Sequence, residues 1–132
     1  TIYCAGYMAM RELIETNNVP DALMCQADGW AVGALRACAE GGGKGPQQMA
    51  LTGFENDPVS AVGSVPLTTV EHPLTDLCNK AVADLVEMMN GKPIDPKVTW
   101  MPCEIIVRQS TINGPADRPE FSRKIPSMFA AE

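Results

Sequence analysis

Apolar residues recur in steps of three and four along three stretches of the chain, which is the spacing of one helical face. In residues 5–16, Tyr7, Met10 and Ile14 share such a face, and residues 30–39 follow the same pattern. The longest stripe comprises Leu74, Leu77, Cys78, Ala81, Val82, Leu85, Met88 and Met89. We predict a helix in each stretch, and the third stripe is either core or a subunit interface.

Four other segments are short and apolar or extended: residues 22–25, 49–54, 67–70 and 98–109. A continuous apolar run such as 22–25 is typical of a strand that is covered on both faces. The proline within 98–109 favours an edge strand or a strand with a break. Residues 55–66, rich in Pro, Gly, Asn and Asp, predict a loop.

The elements follow the order helix, strand, helix, strand, strand, helix, strand, which indicates an α/β fold. Right-handed crossovers predict three layers, with a largely parallel sheet and helices on both faces. Ligands bind such sheets at the carboxyl ends of the strands, where the loops 26–28 and 55–57 place polar side chains. Residues 112–132 contain three prolines and few aliphatic side chains, and they predict a partly disordered surface tail.

Composition and charge restrict the possible partners. The 132 residues are 45% hydrophobic, which suits one domain with its own core. Ten basic residues stand against sixteen acidic ones, so the net charge is -6 and we expect no direct contact with nucleic acid. No apolar run reaches the ~18 residues of a membrane span, and no signal-peptide pattern opens the sequence, which favours the cytoplasm.

The five cysteines have no pair at the two-residue spacing of a metal or redox motif. Most lie in apolar patterns, where cysteine behaves as a small hydrophobic residue. We therefore expect buried free thiols in a reducing compartment, with a reactive cysteine as the alternative. His72 is the single histidine, which excludes a multi-histidine metal site, and we expect no metal and no cofactor.

Four motifs, in this order, resemble those of LacI-type transcription regulators. Residues 20–25 (PDALMC), together with 27–35 (ADGWAVGAL), resemble the family pattern P-D-A-(apolar)…N-D-x-x-A-x-G-A-(apolar). Residues 51–55 (LTGFE) resemble (apolar)-x-G-(aromatic)-D, and 66–70 (PLTTV) resemble P-L-T-T-(apolar). Residues 106–111 (IVRQST) resemble the closing (apolar)-V-x-R-x-S.

The resemblance implies a fold similar to type I periplasmic sugar-binding proteins, with two α/β subdomains, a hinge and a ligand in the cleft between them. Residues 1–111 resemble the second, C-terminal subdomain, which holds half of a ligand site. The family also implies a homodimer, a small-molecule effector of carbohydrate type and a separate helix-turn-helix headpiece that contacts operator DNA. Effector binding then shifts the hinge and the spacing of the two headpieces.

The resemblance also implies roles for individual residues. Ala27 stands where the family usually has an asparagine that hydrogen-bonds the ligand, and Glu55 stands where an aspartate accepts from sugar hydroxyls. His72 has the position of a polar residue that lines the cleft, and Thr1 that of a stacking ring. Because Ala27, Glu55 and Thr1 all depart from the pattern, the resemblance implies either an unusual effector or a weak site.

Neighbouring residues have both functional and structural interpretations. Gln26 and Trp30 are further candidates for the ligand site, with Trp30 as a stacking face; its alternatives are core or dimer packing. Asp28 is predicted to cap the helix that follows it. Glu55 is alternatively a solvated loop carboxylate, and His72 an ordinary residue before a helix.

Two rival functions stay open. A periplasmic solute-binding protein has the same fold, although the odd number of cysteines weighs against it. An enzyme that uses Glu55 or Cys25 is the second rival, but the sequence contains no evident nucleophile–base pair or metal set. We therefore expect a regulator fragment without catalytic residues.

Overall fold

A computed structural model describes residues 2–41, 49–93 and 98–112. Its helices are α1 (Ile2–Glu15), α2 (Asp28–Glu40), α3 (Val59–Val62), α4 (Leu74–Met89) and α5 (Gln109–Ile112). Its strands are β1 (Ala22–Met24), β2 (Ala50–Thr52), β3 (Thr69–Glu71) and β4 (Glu104–Ile106). Thr1 and all but the first residue of the predicted tail lie outside the described residues.

The strands form a mixed arrangement in which β1 and β2 are parallel, with Leu23 opposite Leu51. An isolated parallel bridge between Thr52 and Thr68 connects β2 to the start of β3. Strand β4 pairs antiparallel with β3, with Val70 opposite Ile105. This order matches the predicted alternation of helices and strands. Among the described strands β4 pairs only with β3, which agrees with the first of the two predictions for the proline-containing segment, an edge strand.

The core lies where α1 and α2 pack against each other and against β2. Its buried members are Met10, Cys25, Ala31, Ala34, Ala37, Cys38, Met49, Leu51 and Leu67. The two helices touch through their backbones, because a Cβ on Gly6 would collide with the carbonyl of Trp30, and one on Gly33 with the carbonyl of Tyr3. Only glycine permits this close approach.

The prediction that β1 is covered on both faces is wrong. Leu23 packs against the core, but the side chains of Ala22 and Met24 point to the opposite face and are exposed. Met24 is 86% exposed. The physical reason is that the core cluster, to which α1 and α2 contribute, lies on the face that carries Leu23. The predicted loop 55–66 also contains one turn of helix, α3.

The apolar stripe of α4 is formed as predicted but lies on the surface. None of the sixteen residues of this helix is buried, so the prediction of a core position is wrong. The stripe is exposed at Leu74, Leu77, Val82, Leu85, Met88 and Met89. The alternative, a subunit interface, stays a prediction.

All five cysteines belong to the described residues, and none forms a disulfide. Cys25 and Cys38 are buried, and burial raises the pKa of both thiols, which lowers their reactivity. Cys4, Cys78 and Cys103 are exposed, because α1, α4 and the segment before β4 present them to solvent; the prediction of buried thiols is wrong for these three.

Within the residues that the structure describes, no three His, Cys, Asp or Glu side chains are grouped in a way that could hold a metal ion. None of the described helices has the length and apolar character that crossing a membrane requires.

Candidate ligand-binding groove

An open groove of about 770 Å³ lies at the carboxyl ends of β1 and β2 and beside the β3–β4 pair. Its apolar lining consists of Met24, Cys25, Gly53, Phe54, Val70 and Ile105. Its polar lining consists of Gln26, Thr52, Glu55, Thr68 and Thr69. Apolar walls with a few polar groups are typical of small-molecule sites, and this is the strand edge at which α/β folds bind ligands.

The groove contains two of the five residues predicted to contact a ligand, Gln26 and Glu55. His72 is not part of the lining. Its ring stacks on that of Phe54, which does line the groove, with centroids 5.6 Å apart and an interplanar angle of 22°. Its Nδ1 atom is buried and has no hydrogen-bond partner among the described residues. Ala27 and Trp30 are not part of the lining; Trp30 lies in the first turn of α2, with its backbone against α1.

Glu55 has an unusual backbone conformation. Its φ angle is 108°, and that of Asn56 is 53°, so two consecutive non-glycine residues have positive φ. Such residues cost on the order of 1–3 kcal/mol each and persist only where the surroundings impose them. The Glu55 N–H donates to the carbonyl of Val70 at 2.9 Å, and the Asn56 N–H donates to Thr69 Oγ1 at 3.3 Å. Strain of this kind is concentrated at functional sites.

Asp28 does not cap the second helix as predicted. Ala27 holds the capping position, without a side-chain hydrogen bond, and Asp28 already belongs to the first turn. The carboxylate is fully buried and turns toward two other segments. Oδ1 accepts from the hydroxyl of Thr69 at 2.6 Å, and Oδ2 accepts from the N–H of Asp57 at 2.8 Å. Asp28 therefore connects α2 to β3 and to the loop that carries Glu55.

Gly53 makes room for this carboxylate. A Cβ at position 53 would collide with Oδ1 of Asp28 and would also approach Leu67 Cδ2 to 2.9 Å. Because the buried Asp28 carboxylate must stay close to its hydrogen-bond partners, the backbone at position 53 must approach it closely, and only glycine permits that approach. Gly53 directly precedes Phe54 and Glu55, so the same requirement affects the position of two further residues that line the groove.

Arg108 and Ser110 organise the site, and the sequence revealed them only as parts of the closing motif. The Arg108 guanidinium donates to Ser60 Oγ and to the Leu67 carbonyl, both at 2.9 Å, and to Asn56 Oδ1 at 2.7 Å. The fully buried Ser110 hydroxyl accepts from the Thr68 N–H at 2.8 Å and donates to the Leu51 carbonyl at 2.6 Å. The two bonds of Ser110 join α5 to β2 and to Thr68, which directly precedes β3.

A second groove, of about 490 Å³, lies on the outer side of the α1–α2 pair and contains none of the predicted site residues. Tyr7 donates its hydroxyl proton to Glu40 Oε2 at 2.7 Å, and Arg36 Nε donates to Glu40 Oε1 at 2.8 Å. The hydrogen bond from Tyr7, followed by that from Arg36, lowers the pKa of the Glu40 carboxyl. This groove has no strained backbone among its lining residues.

Residues 4–111 match the family model of the periplasmic binding protein-like domain. The HTH-type transcriptional repressor CytR of Escherichia coli (strain K12) is 33% identical over 107 residues, 81% of this chain and 31% of the relative. The HTH-type transcriptional repressor MelR of Bacillus subtilis (strain 168) is 33% identical over 105 residues, 80% of this chain and 30% of the relative. The chain thus spans less than a third of the length of these two relatives.

Solved structures give the same result for the fold. An uncharacterized protein from Actinobacillus succinogenes superposes with a TM-score of 0.72 at 33% identity, over 83% of this chain and 39% of that chain. The Lac repressor bound to ONPG in the repressed state gives a TM-score of 0.76 at 23% identity, over 83% and 33%. A LacI family regulator from Lactobacillus casei with bound sucrose gives 0.70 at 23% identity, over 83% and 40%.

The predicted fold class is confirmed by these superpositions, and the predicted resemblance is confirmed by the family match and the relatives. The match begins at residue 4 and ends at residue 111, and so includes all four motifs and each strand that the structure describes. The chain therefore belongs to the family of periplasmic binding protein-like domains, and its relatives include LacI-type transcriptional repressors.

Proposed function

We propose that this chain is the effector-sensing and dimerising part of a bacterial transcription regulator, and that its effector is a small carbohydrate-like molecule. The observation that carries the proposal is the strained Glu55, which lines an apolar groove. Hydrogen bonds to Asp28 and from Arg108 hold the loop that carries it. The relatives named above are transcriptional repressors, which favours a regulator over a periplasmic solute-binding protein or an enzyme.

Recognition in the groove would depend on two polar side chains. Glu55 offers carboxylate oxygens that accept from ligand hydroxyls, and Gln26 offers both a donor and an acceptor. Ala27 has no side-chain amide, so the hydrogen bond that the family asparagine makes to the ligand at that position would be missing. His72 would act through Phe54, whose ring it stacks upon, rather than by direct contact.

Trp30 remains a candidate for stacking on a ligand at the entrance to the cleft. Its side chain is 39% exposed at the start of α2, although it does not line the groove. If Trp30→Ala leaves the affinity for the effector unchanged, this role is excluded.

The remaining parts of the function concern the whole protein. With a net charge of -6, this chain would not contact operator DNA, and a separate headpiece would do so in the cytoplasm. Two copies would pair so that two headpieces are spaced on DNA. The extent to which an effector changes that spacing is limited by the difference between its affinities for the two hinge states.

Isothermal titration calorimetry with mono- and disaccharides, including sucrose, tests the proposal. We expect Glu55→Gln to weaken binding about tenfold to a hundredfold, since a hydrogen bond to a charged group contributes ~1.5–3 kcal/mol. Glu12→Gln, on the exposed surface of α1, is the matched control and should leave the affinity unchanged. Binding that survives Glu55→Gln, or no binding to any sugar, would contradict a carbohydrate site at Glu55.

A further inference from the structure

The loop that carries Glu55 is held from two sides by buried or partly buried charged residues. On one side, the Asp28 carboxylate accepts from the Asp57 N–H at 2.8 Å. On the other, the Arg108 guanidinium donates to Asn56 Oδ1 at 2.7 Å. Asp28 belongs to α2 and Arg108 to the segment between β4 and α5, so the two contacts come from widely separated parts of the chain.

The two contacts act on the residues that follow Glu55, at the place where the backbone is strained. Asn56 has a φ of 53°, a conformation that asparagine adopts more readily than most residues but still at a cost. Its side-chain oxygen also accepts from the Ser60 hydroxyl at 3.5 Å, a longer contact than the one from Arg108. Without the guanidinium, Asn56 would lose its shortest side-chain hydrogen bond, and relaxation to negative φ would be opposed only by the backbone N–H contacts of residues 55–57.

We propose that Arg108 is a positioning residue for Glu55: through Asn56 it holds the strained turn in the conformation that presents the Glu55 carboxylate to the groove. The importance of Glu55 to a ligand rests on the function proposed above, but the positioning of the turn is a property of the free protein. Asp28 fixes the other end of the same turn through Asp57. The planar guanidinium suits this role, because its fork of donors serves Ser60, Leu67 and Asn56 at once.

A merely structural role is the competing explanation, since Arg108 also joins α3 to the start of β3 through Ser60 and Leu67. The two explanations differ in what should follow from a glycine at position 56. Glycine adopts positive φ without strain. If Arg108 acts by opposing strain at Asn56, a glycine there makes the guanidinium dispensable for the turn. If Arg108 acts only through Ser60 and Leu67, the glycine changes nothing.

The experiment compares the full 132-residue chain with Arg108→Lys, Asn56→Gly and the double variant, with Arg36→Lys on the exposed surface of α2 as control. Backbone coupling constants that report φ, and hydrogen exchange of the amides of residues 55–57, are measured by NMR without ligand. We expect Arg108→Lys to move the φ angles of residues 55 and 56 and to speed exchange there about tenfold, with exchange in α1 and α2 little changed.

In the double variant we expect the coupling constants and the slow exchange to return toward those of the unchanged chain. Uniformly faster exchange in Arg108→Lys, or a turn that stays relaxed in the double variant, would overturn the proposal. If Arg108→Lys does not fold, folding of the double variant with an intact turn supports the proposal, and its failure to fold refutes it. Since no ligand is present, a failed sugar titration leaves these outcomes unaffected.

Discussion

Asp28 connects three segments that are distant in sequence. Its carboxylate accepts from Asp57, 29 positions away, and from Thr69, 41 positions away. A buried carboxylate is stable only when it is hydrogen-bonded, so the Glu55 loop and β3 must both reach it in the folded protein. The local sequence predicted a helix cap, which is the usual role of aspartate before a helix, because only the fold brings these donors within reach.

The contact between Gly53 and Asp28 gives a prediction at the same scale. Gly53→Ala places a Cβ against the Asp28 carboxylate and Leu67, and we expect a loss of ~1–3 kcal/mol in the free energy of unfolding, as for other overpacked sites. Urea denaturation measures the loss.

Gly63→Ala is the matched control. Its φ of -69° suits alanine, and the nearest heavy atom to a new Cβ lies 3.6 Å away. We expect a gain of at most ~1 kcal/mol, because alanine restricts the unfolded chain. Equal losses in the two variants would mean that Gly53 is not required for close approach.

At the scale of elements, the periodicity of the sequence predicted the positions of helices and strands better than it predicted their burial. The stripes placed α1, α2 and α4 and the apolar runs placed all four strands, because spacing along the chain decides which residues share a face. The same patterns gave no measure of what covers a face: β1 was predicted to be covered on both faces and is exposed on one, and α4, for which the core was one of two predicted positions, has no buried residue. The one-turn helix α3 has too few residues to produce a period.

The exposed stripe of α4 should contribute little to the free energy of unfolding of the single chain. Leu77 and Leu85 are 47% and 56% exposed, so Leu77→Gln and Leu85→Gln should each change the free energy of unfolding by less than ~0.5 kcal/mol. Leu51→Ala, at a fully buried position, is the comparison and should cost ~2–5 kcal/mol.

Urea denaturation of dilute protein measures both effects, and sedimentation equilibrium measures association. If the stripe is a subunit interface, the two leucine variants should weaken self-association while leaving monomer stability intact. A loss of stability comparable to that of Leu51→Ala would mean that α4 belongs to the core.

For the whole molecule, the four motifs predicted the family and the fold, because they depend on residues that the fold requires: a glycine against a carboxylate, and an arginine and a serine that join strands. The candidate site was predicted in part. Gln26 and Glu55 line the groove because they follow strand ends, which the sequence reveals. The roles of Asn56 and Arg108 depend on contacts 52 positions apart, which no local pattern contains.

The central claim is that an effector binds at the carboxyl ends of β1 and β2, next to Glu55, and the most direct test is to map where a ligand binds. Amide chemical shifts of the isotopically labelled chain are followed during titration with the sugar that binds best in calorimetry. The account predicts saturable changes centred on Gln26, Gly53, Phe54 and Glu55. Changes centred on the other groove, at Tyr7, Arg36 and Glu40, would contradict it.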